Sequence, residues 1–246
     1  MSILTTDLQC FDAASVPTDD VSTSGGAISA VSRPDLVQWA APNIAQVVSD
    51  GADTRTVTIT GRLATGVVDT EVLTLNGTTP VSGAKTWERV QSAVASATSG
   101  TRTVLVKEAA AGTTRATILP NETTRHISFQ NSSSDPVSTK TRVEKVFWKN
   151  TNGSLTLTQS TVTLTTDAAA NIMISTDAAI DATTSVANRL TSTGFSFVDD
   201  TVAITVPGGG NIPAGSRIGT WIQQTLAAGA AATKSTYTTK LAGSSI

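Results

Sequence analysis

The chain has 246 residues, of which 39% are hydrophobic and 15% are charged, and its formal net charge is −2. This composition excludes the disordered class, which combines low hydrophobicity with high net charge. It also argues against nucleic acid as the main partner, because phosphate binding needs a concentrated basic face. The length allows one large all-β domain or two smaller ones.

The cysteine content and the N-terminal residues indicate the cellular compartment in which the chain folds. Cys10 is the only cysteine, so no intramolecular disulfide can form. The start, MSILTTDLQC, lacks the basic residues and the apolar run of a signal peptide. No segment approaches the ~20 apolar residues that a membrane-spanning helix needs. We therefore expect a chain that folds in a cytoplasm and has no membrane partner.

Residues 1–33 differ from the rest of the chain. They are rich in Ser, Thr, Gly and Asp and show no sustained hydrophobic period. We interpret them as an extended N-terminal arm that orders on a neighbouring subunit through Val16, Ile28 and Val31. A disordered terminus is the alternative.

Residues 34–122 are predicted to form a first β domain. In TRTVTITGRL, Val57 and Ile59 share one face and Thr occupies the other, which is the pattern of a half-buried strand. Asn76-Gly77 predicts a hairpin, because both residues readily adopt the left-handed conformations of a type I′ turn. The segment KTWERVQSAVASA fits either a helix or a bulged strand.

Residues 123–246 are predicted to form a second β domain. RVEKVFWKN and the Thr-rich segment that ends at Asp167 alternate between apolar and polar residues, and Asn152-Gly153 predicts another hairpin. Leu155 and Leu157 fall on the opposite sequence parity from Val162 and Leu164. Since side chains alternate with a period of two, this change requires a turn or bulge near Gln159-Ser160.

The fold class predicted from these patterns is all-β, with two β-sandwich or barrel-like subdomains and the N-terminal arm. Thr occupies 44 positions, and this β-branched residue suits a strand face that meets water. Many short strands without a βαβ rhythm favour a sandwich or barrel.

Groups that support catalysis are sparse. His126 is the only histidine, and no G-x-S-x-G element accompanies it, so a Ser-His-Asp triad is not indicated. We interpret His126 as a half-buried or surface residue on a strand. One histidine and one cysteine cannot form an ordinary zinc site. We predict no catalytic, cofactor-binding or metal-binding residues, and therefore no enzyme.

Three further features have both a functional and a structural interpretation. A carboxylate set could supply oxygen ligands to calcium, but it lacks the EF-hand spacing and is interpreted as solvated loop residues; it comprises Asp167, Asp177, Asp181, Asp199 and Asp200. The run VPGGGN at 206–211 lacks the Lys-Ser/Thr of a phosphate-binding loop and is interpreted as a flexible loop. The tryptophans are interpreted as core packing, with an aromatic sugar platform as the alternative; they are Trp39, Trp87, Trp148 and Trp221.

The segments RVEKVFWKNTNGSLTLTQSTVTLTTD, ANRLTSTGFSFVDD and IPAGSRIGTWIQQTLAAGAAATKSTYTTKLAG lie in the second half of the chain. Together they resemble a family of tailed-bacteriophage virion proteins. Upstream, TEVLTLNGTTPVSGAKTWERV is similar to a segment that recurs in phage structural proteins. The resemblance implies a non-enzymatic structural role in a phage particle that is assembled in the host cytoplasm.

Two hypotheses about function follow. The first is a structural protein of the virion. The preferred role is that of a capsid-decorating or cement protein, and the next is that of a neck, collar or tail component. It would bind other virion proteins, such as the major capsid protein or neck and tail subunits, and would form a homo-oligomer; a trimer suits a local threefold. The second is a receptor- or glycan-binding fibre module, which would show exposed aromatic and carboxylate side chains on loops at one end.

Overall fold

The computed structural model describes residues 2–231 and 236–245, and these residues are almost entirely β, with curled sheets that form half-barrels. This confirms the predicted all-β class with barrel-like subdomains. No helix in the described part of the chain is long and apolar enough to span a membrane.

A short 3-10 turn, Thr5–Asp7, precedes the first strand. The strands of the N-terminal half are β1 (Leu8–Ser15), β2 (Ser24–Ile28), β3 (Ser32–Arg33), β4 (Asn43–Ser49), β5 (Thr56–Leu63), β6 (Val68–Thr74), β7 (Val81–Ala95), β8 (Val104–Glu108), β9 (Thr114–Ile118) and β10 (Thr124–His126). Those of the C-terminal half are β11 (Lys140–Asn150), β12 (Leu157–Asp167), β13 (Ile172–Thr176), β14 (Ser185–Val186), β15 (Ile204–Thr205), β16 (Arg217–Leu226) and β17 (Tyr237–Ser245).

The chain divides into two units, and one is inserted in the sequence of the other. The split unit comprises Met1–Ser29 and Phe129–Ile246, and the inserted unit comprises Ala30–Ser128. The predicted first domain, 34–122, corresponds closely to the inserted unit. The predicted separation of 1–33 from 123–246 differs from the structure, because both ends of the chain build the split unit.

The split unit contains two antiparallel sheets. One has six strands in the order β13-β16-β11-β1-β2-β14, and the other has three in the order β15-β12-β17. Their core includes Val162, Leu164, Ile174, Ile212 and Ile222. A smaller cluster on Trp221 brings together Val143, Val186, Phe195 and Phe197.

The predicted N-terminal arm is replaced by strands of this sheet. Strand β1 pairs with β11 from Leu8↔Asn150 to Asp12↔Val146, and its other edge pairs with β2. Phe11 is buried, while Cys10 packs on the core of the same unit. Because neither face of β1 is wholly exposed, the sequence lacks the polar alternation that would have marked it as a strand.

The inserted unit is built on one sheet in the order β3-β10-β7-β4-β8-β9, and β5 pairs with both β6 and β7. Only the β3–β10 pairing is parallel. Its core includes Trp39, Val57, Ile59 and Trp87, as the alternation in the sequence predicts for Val57 and Ile59. The ambiguous segment KTWERVQSAVASA lies in strand β7.

The bulge predicted at Gln159-Ser160 is confirmed. The register of β12 with β17 shifts between Thr158 and Thr161, and Gln159 has a φ of 52°. The buried Ser160 donates its backbone N–H to Gly210 at 2.7 Å and accepts one from Val206 at 3.0 Å. The glycine run at 206–211 therefore covers this bulge.

Both predicted hairpins are wrong, although a tight turn forms at the first. Thr79 donates its N–H to Asn76 at 3.0 Å, but β6 pairs with β5 instead of β7. After Asn152-Gly153 the chain leaves the six-stranded sheet for the three-stranded sheet. A turn dipeptide determines the local bend, whereas strand pairing depends on which faces the distant strands bury.

Gly61 gives a test of the close packing at β5. A Cβ added there would lie 2.2 Å from the backbone oxygen of Arg89 and 2.9 Å from the Cα of Val90. We expect Gly61→Ala to destabilise the protein by about 1–3 kcal/mol, because the backbone of β7 would have to move. Denaturant unfolding measures this change. Gly153→Ala is the control, since a Cβ there meets nothing within 4 Å; equal effects of the two changes would contradict the packing argument.

Candidate functional site

The candidate site of the split unit is a buried pair, Lys145 and Asp177. The Lys145 Nζ lies 2.5 Å from the Asp177 Oδ2, and both side chains are almost fully inaccessible, at 0% and 1% exposure. Trp221 donates its indole N–H to the Asp177 Oδ1 at 2.9 Å. Lys145 Nζ also donates to the carbonyl oxygens of Thr184 at 3.1 Å and Ala182 at 3.3 Å.

The strand register places these groups on one face of the sheet. Lys145 on β11 pairs with Trp221 on β16, and Asp177, just after β13, donates its N–H to the carbonyl oxygen of Gly219 at 2.8 Å. Lys145 and Asp177 therefore reach towards each other across β16. A Cβ on Gly219 would lie 2.2 Å from Asp177 Oδ2 and 2.4 Å from Lys145 Cε. The absence of a side chain at Gly219 is what lets the two groups meet.

The electrostatics of this centre are set by burial. Loss of solvent lowers the pKa of the Lys145 amine, and the hydrogen bond and charge of Asp177 oppose that shift only in part. Lys145 Nζ also lies 4.6 Å from the ring centroid of Phe147 and 5.4 Å from that of Trp221. Aromatic faces attract the cation but do not replace its hydration fully. The site therefore shifts Lys145 towards its neutral, nucleophilic form.

A groove of about 600 Å³ opens beside this centre. Its wall includes Thr176, Asp177, Thr184, Phe195 and Ser196. The Phe195 ring stacks on Trp221 with their centroids 4.5 Å apart. The groove thus combines hydroxyl groups with one accessible aromatic side chain.

A second charged centre of the split unit is built around Asp20. Arg142 donates to its two carboxylate oxygens at 2.6 and 2.8 Å, and Arg189 donates from Nε to Oδ1 at 3.0 Å. Arg142 and Arg189 are buried, at 2% and 0% side-chain exposure. The Arg142 hydrogen bond, assisted by that of Arg189, holds the pKa of Asp20 below its usual value. Glu144 completes the centre, with its Oε1 3.5 Å from Arg189 Nη1.

The inserted unit contains a comparable centre around Glu122. Its carboxylate pairs with Arg33 at 2.5 Å and with the buried Arg125, and it accepts the N–H of Leu119 at 3.2 Å. Arg125 Nε also lies 3.0 Å from Asp35. These ion pairs connect Arg33 and Asp35, near the start of the inserted unit, to Arg125 on β10, the last strand of that unit.

The single histidine and the four tryptophans of the sequence are packed into the two units. His126 lies on β10 and is buried rather than half-buried or exposed, with its Nδ1 2.8 Å from the carbonyl oxygen of Ile127. Trp39, Trp87 and Trp221 are core residues, as predicted, and Trp148 packs against the core of the split unit.

The predicted loop carboxylates divide between different environments. Asp167, Asp199 and Asp200 line one groove of about 460 Å³, whereas Asp181 pairs with Arg217 and Asp177 with Lys145. Asp167 and Asp199 accept hydrogen bonds from the backbone of their own turns. Within residues 2–231 and 236–245, no group of three or more His, Cys, Asp or Glu side chains is arranged to hold a metal ion.

Sequence reasoning missed the buried charges. Arg142, Glu144 and Lys145 lie in the strand RVEKVFW, where both faces are buried. The signal in the sequence was the presence of several charged residues inside an otherwise apolar run. Half-exposed strands of this chain carry Thr at their polar positions instead. Asp20 was missed because it lies in the segment interpreted as an arm.

The chain matches no protein-family model, no curated protein and no solved structure.

Proposed function

We propose that the chain is a structural protein of a tailed-bacteriophage virion, and specifically a capsid-decorating or cement protein that binds and stabilises neighbouring virion subunits. The observation that carries this proposal is the placement of the charged side chains. They form pairs between segments that are distant in sequence, such as the buried Lys145 with the buried Asp177, and the buried Arg142 with the partly exposed Asp20. Such pairs resist separation of the strands, because breaking one leaves a buried charge without its partner.

The edge strand β6 is a second observation in favour of the proposal that the chain assembles with further subunits. It pairs with β5, and its outward-facing Val68 and Val72 are 52% and 60% exposed. Val67, in the preceding turn, is 59% exposed. An exposed apolar edge strand favours pairing with another chain, and covering these side chains contributes about 25 cal/mol per Å² of apolar surface. The proposed partners are other copies of this chain, as a homo-oligomer, and the capsid subunits beneath it.

Besides a neck, collar or tail component, the alternative function is a receptor- or glycan-binding fibre module. The groove beside Asp177 supports it, because Phe195 offers a stacking face and Thr176, Thr184 and Ser196 offer hydroxyl groups. Sugar recognition uses this combination of an apolar face and hydrogen-bonding groups. The position of the chain on the particle separates the two candidates.

Particles assembled with and without the chain test the function. We expect ordered density at capsid lattice points, and we expect this density to disappear when the chain is omitted. We also expect the double variant Val68→Lys/Val72→Lys to reduce incorporation of the chain into particles, because both changes place charge on the proposed contact. Electron microscopy of purified particles measures the first outcome, and the amount of chain per particle measures the second.

The matched control is Val137→Lys, because Val137 is 87% exposed and belongs to the split unit, whereas β6 belongs to the inserted unit. Density at a tail tip would favour the second candidate. Absence of the chain from purified particles would contradict both.

A further inference from the structure

We propose that Lys145 and Asp177 join covalently, through an isopeptide bond between the Lys145 Nζ and the Asp177 Cγ. The bond would link β11 to the end of β13 across β16, within the split unit. It would be an intramolecular modification formed without another molecule.

The contact geometry favours bond formation over an ordinary ion pair. Nζ and Oδ2 are only 2.5 Å apart, and Oδ2 has no other hydrogen-bond partner among the described residues. Nζ also donates hydrogen bonds to the carbonyl oxygens of Thr184 and Ala182. Once the amine is neutral, these two carbonyls orient its remaining hydrogens, and its lone pair is left for the carboxyl group.

The surroundings favour both the attack and the product. The Trp221 N–H, 2.9 Å from Oδ1, stabilises the negative charge that develops on this oxygen in the tetrahedral intermediate. Burial of both side chains disfavours the charged pair and excludes the water that would compete with the amine. A neutral amide avoids the cost of keeping two ions in the core, and the released water leaves to solvent.

The atoms and charges balance without an oxidant or a cofactor. The Lys145 ammonium first transfers a proton to Oδ2, which gives a neutral amine and a neutral carboxylic acid. The amine attacks Cγ, a new C–N bond forms, and a second proton passes from Nζ to Oδ2. The Cγ–Oδ2 bond then breaks and Oδ2 leaves as water, while Oδ1 stays as the amide oxygen beside Trp221.

Mass spectrometry of the full chain tests the bond. We expect the protein to be lighter than its uncrosslinked sequence by one water molecule, and chymotryptic peptides containing Lys145 and Asp177 to be found joined. Chymotrypsin is suited to this test because Phe147, Trp148 and Met173 lie between the two residues. Recovery of the two peptides only in separate form, with no mass deficit, would overturn the proposal.

Variants locate the bond at these two atoms. Lys145→Met keeps a long apolar side chain without the nucleophile, and we expect it to abolish the mass deficit. Asp177→Asn is expected to lose ammonia instead of water, since the leaving group is then the amide nitrogen. A deficit of one water that persists in Lys145→Met would overturn the assignment, even if that variant is less stable.

Discussion

Deletion of residues 2–28 is expected to unfold the split unit while the inserted unit stays folded. The deletion removes β1 and β2 from the interior of the six-stranded sheet and leaves the β11 edge without its partner. It also removes Asp20, so that the buried guanidinium groups of Arg142 and Arg189 lose their main carboxylate. The net stability of a domain is only about 5–15 kcal/mol, and we expect the free-energy cost of losing two strands to exceed it.

Limited proteolysis with mass spectrometry measures this outcome. We expect a protected fragment within residues 30–128 and rapid cleavage of residues 129–246. A peptide of residues 2–28 added back in trans is the matched control, and it should restore protection if the segment acts as strands of the sheet. A truncated chain that keeps protection throughout 129–246 would instead support the interpretation of this segment as a separable arm.

The all-β class was predictable because alternation is a local property. Val57 and Ile59 on one face of β5, with Thr on the other, produce the same pattern wherever the strand lies in the sheet. The bulge at Gln159 was predictable for the same reason, since a change of parity within one strand requires an extra residue. Local periodicity therefore predicted the strands and one irregularity within them.

Topology was not predictable from the same signals. The pairing of β1 with β11 joins segments about 140 positions apart, as in Leu8↔Asn150, and no local pattern encodes such a partner. Strand β1 is covered on both sides by neighbouring strands, so the segment resembled an irregular tail in sequence. The split of one unit around an inserted unit follows from this single long-range pairing.

The candidate site was hidden for a different physical reason. A charged residue in a sequence normally indicates an exposed position, because burial of an unpaired charge is costly. Lys145 and Arg189 are buried only because Asp177 and Asp20 arrive from elsewhere in the chain. Pairing across such distances becomes visible only when the strands are placed, which is why no site was predicted.

Asp20→Ala is expected to destabilise the split unit by about 1–3 kcal/mol, the cost of leaving buried hydrogen-bond donors without their acceptor. The 29% exposure of the Asp20 side chain keeps this loss below that of a fully buried ion pair. Two guanidinium groups, of Arg142 and Arg189, converge on this carboxylate, so its removal leaves like charges close together in the core. Denaturant unfolding near neutral pH measures the change in the free energy of unfolding. Asp19→Ala is the matched control, because the Asp19 carboxylate bonds mainly within its own turn, to Ser22.

The same comparison has a defined pH dependence. The folded-state pKa of Asp20 lies below its unfolded value, chiefly because of the Arg142 hydrogen bond. Its stabilising contribution is therefore complete above the unfolded pKa of about 3.9 and is lost as the pH falls through the folded value. We expect the difference in unfolding free energy between the wild type and Asp20→Ala to be constant from pH 5 to 7 and to shrink below about pH 4. A difference that persists unchanged at the acid end would mean that the carboxylate charge is not what holds the two arginines in the core.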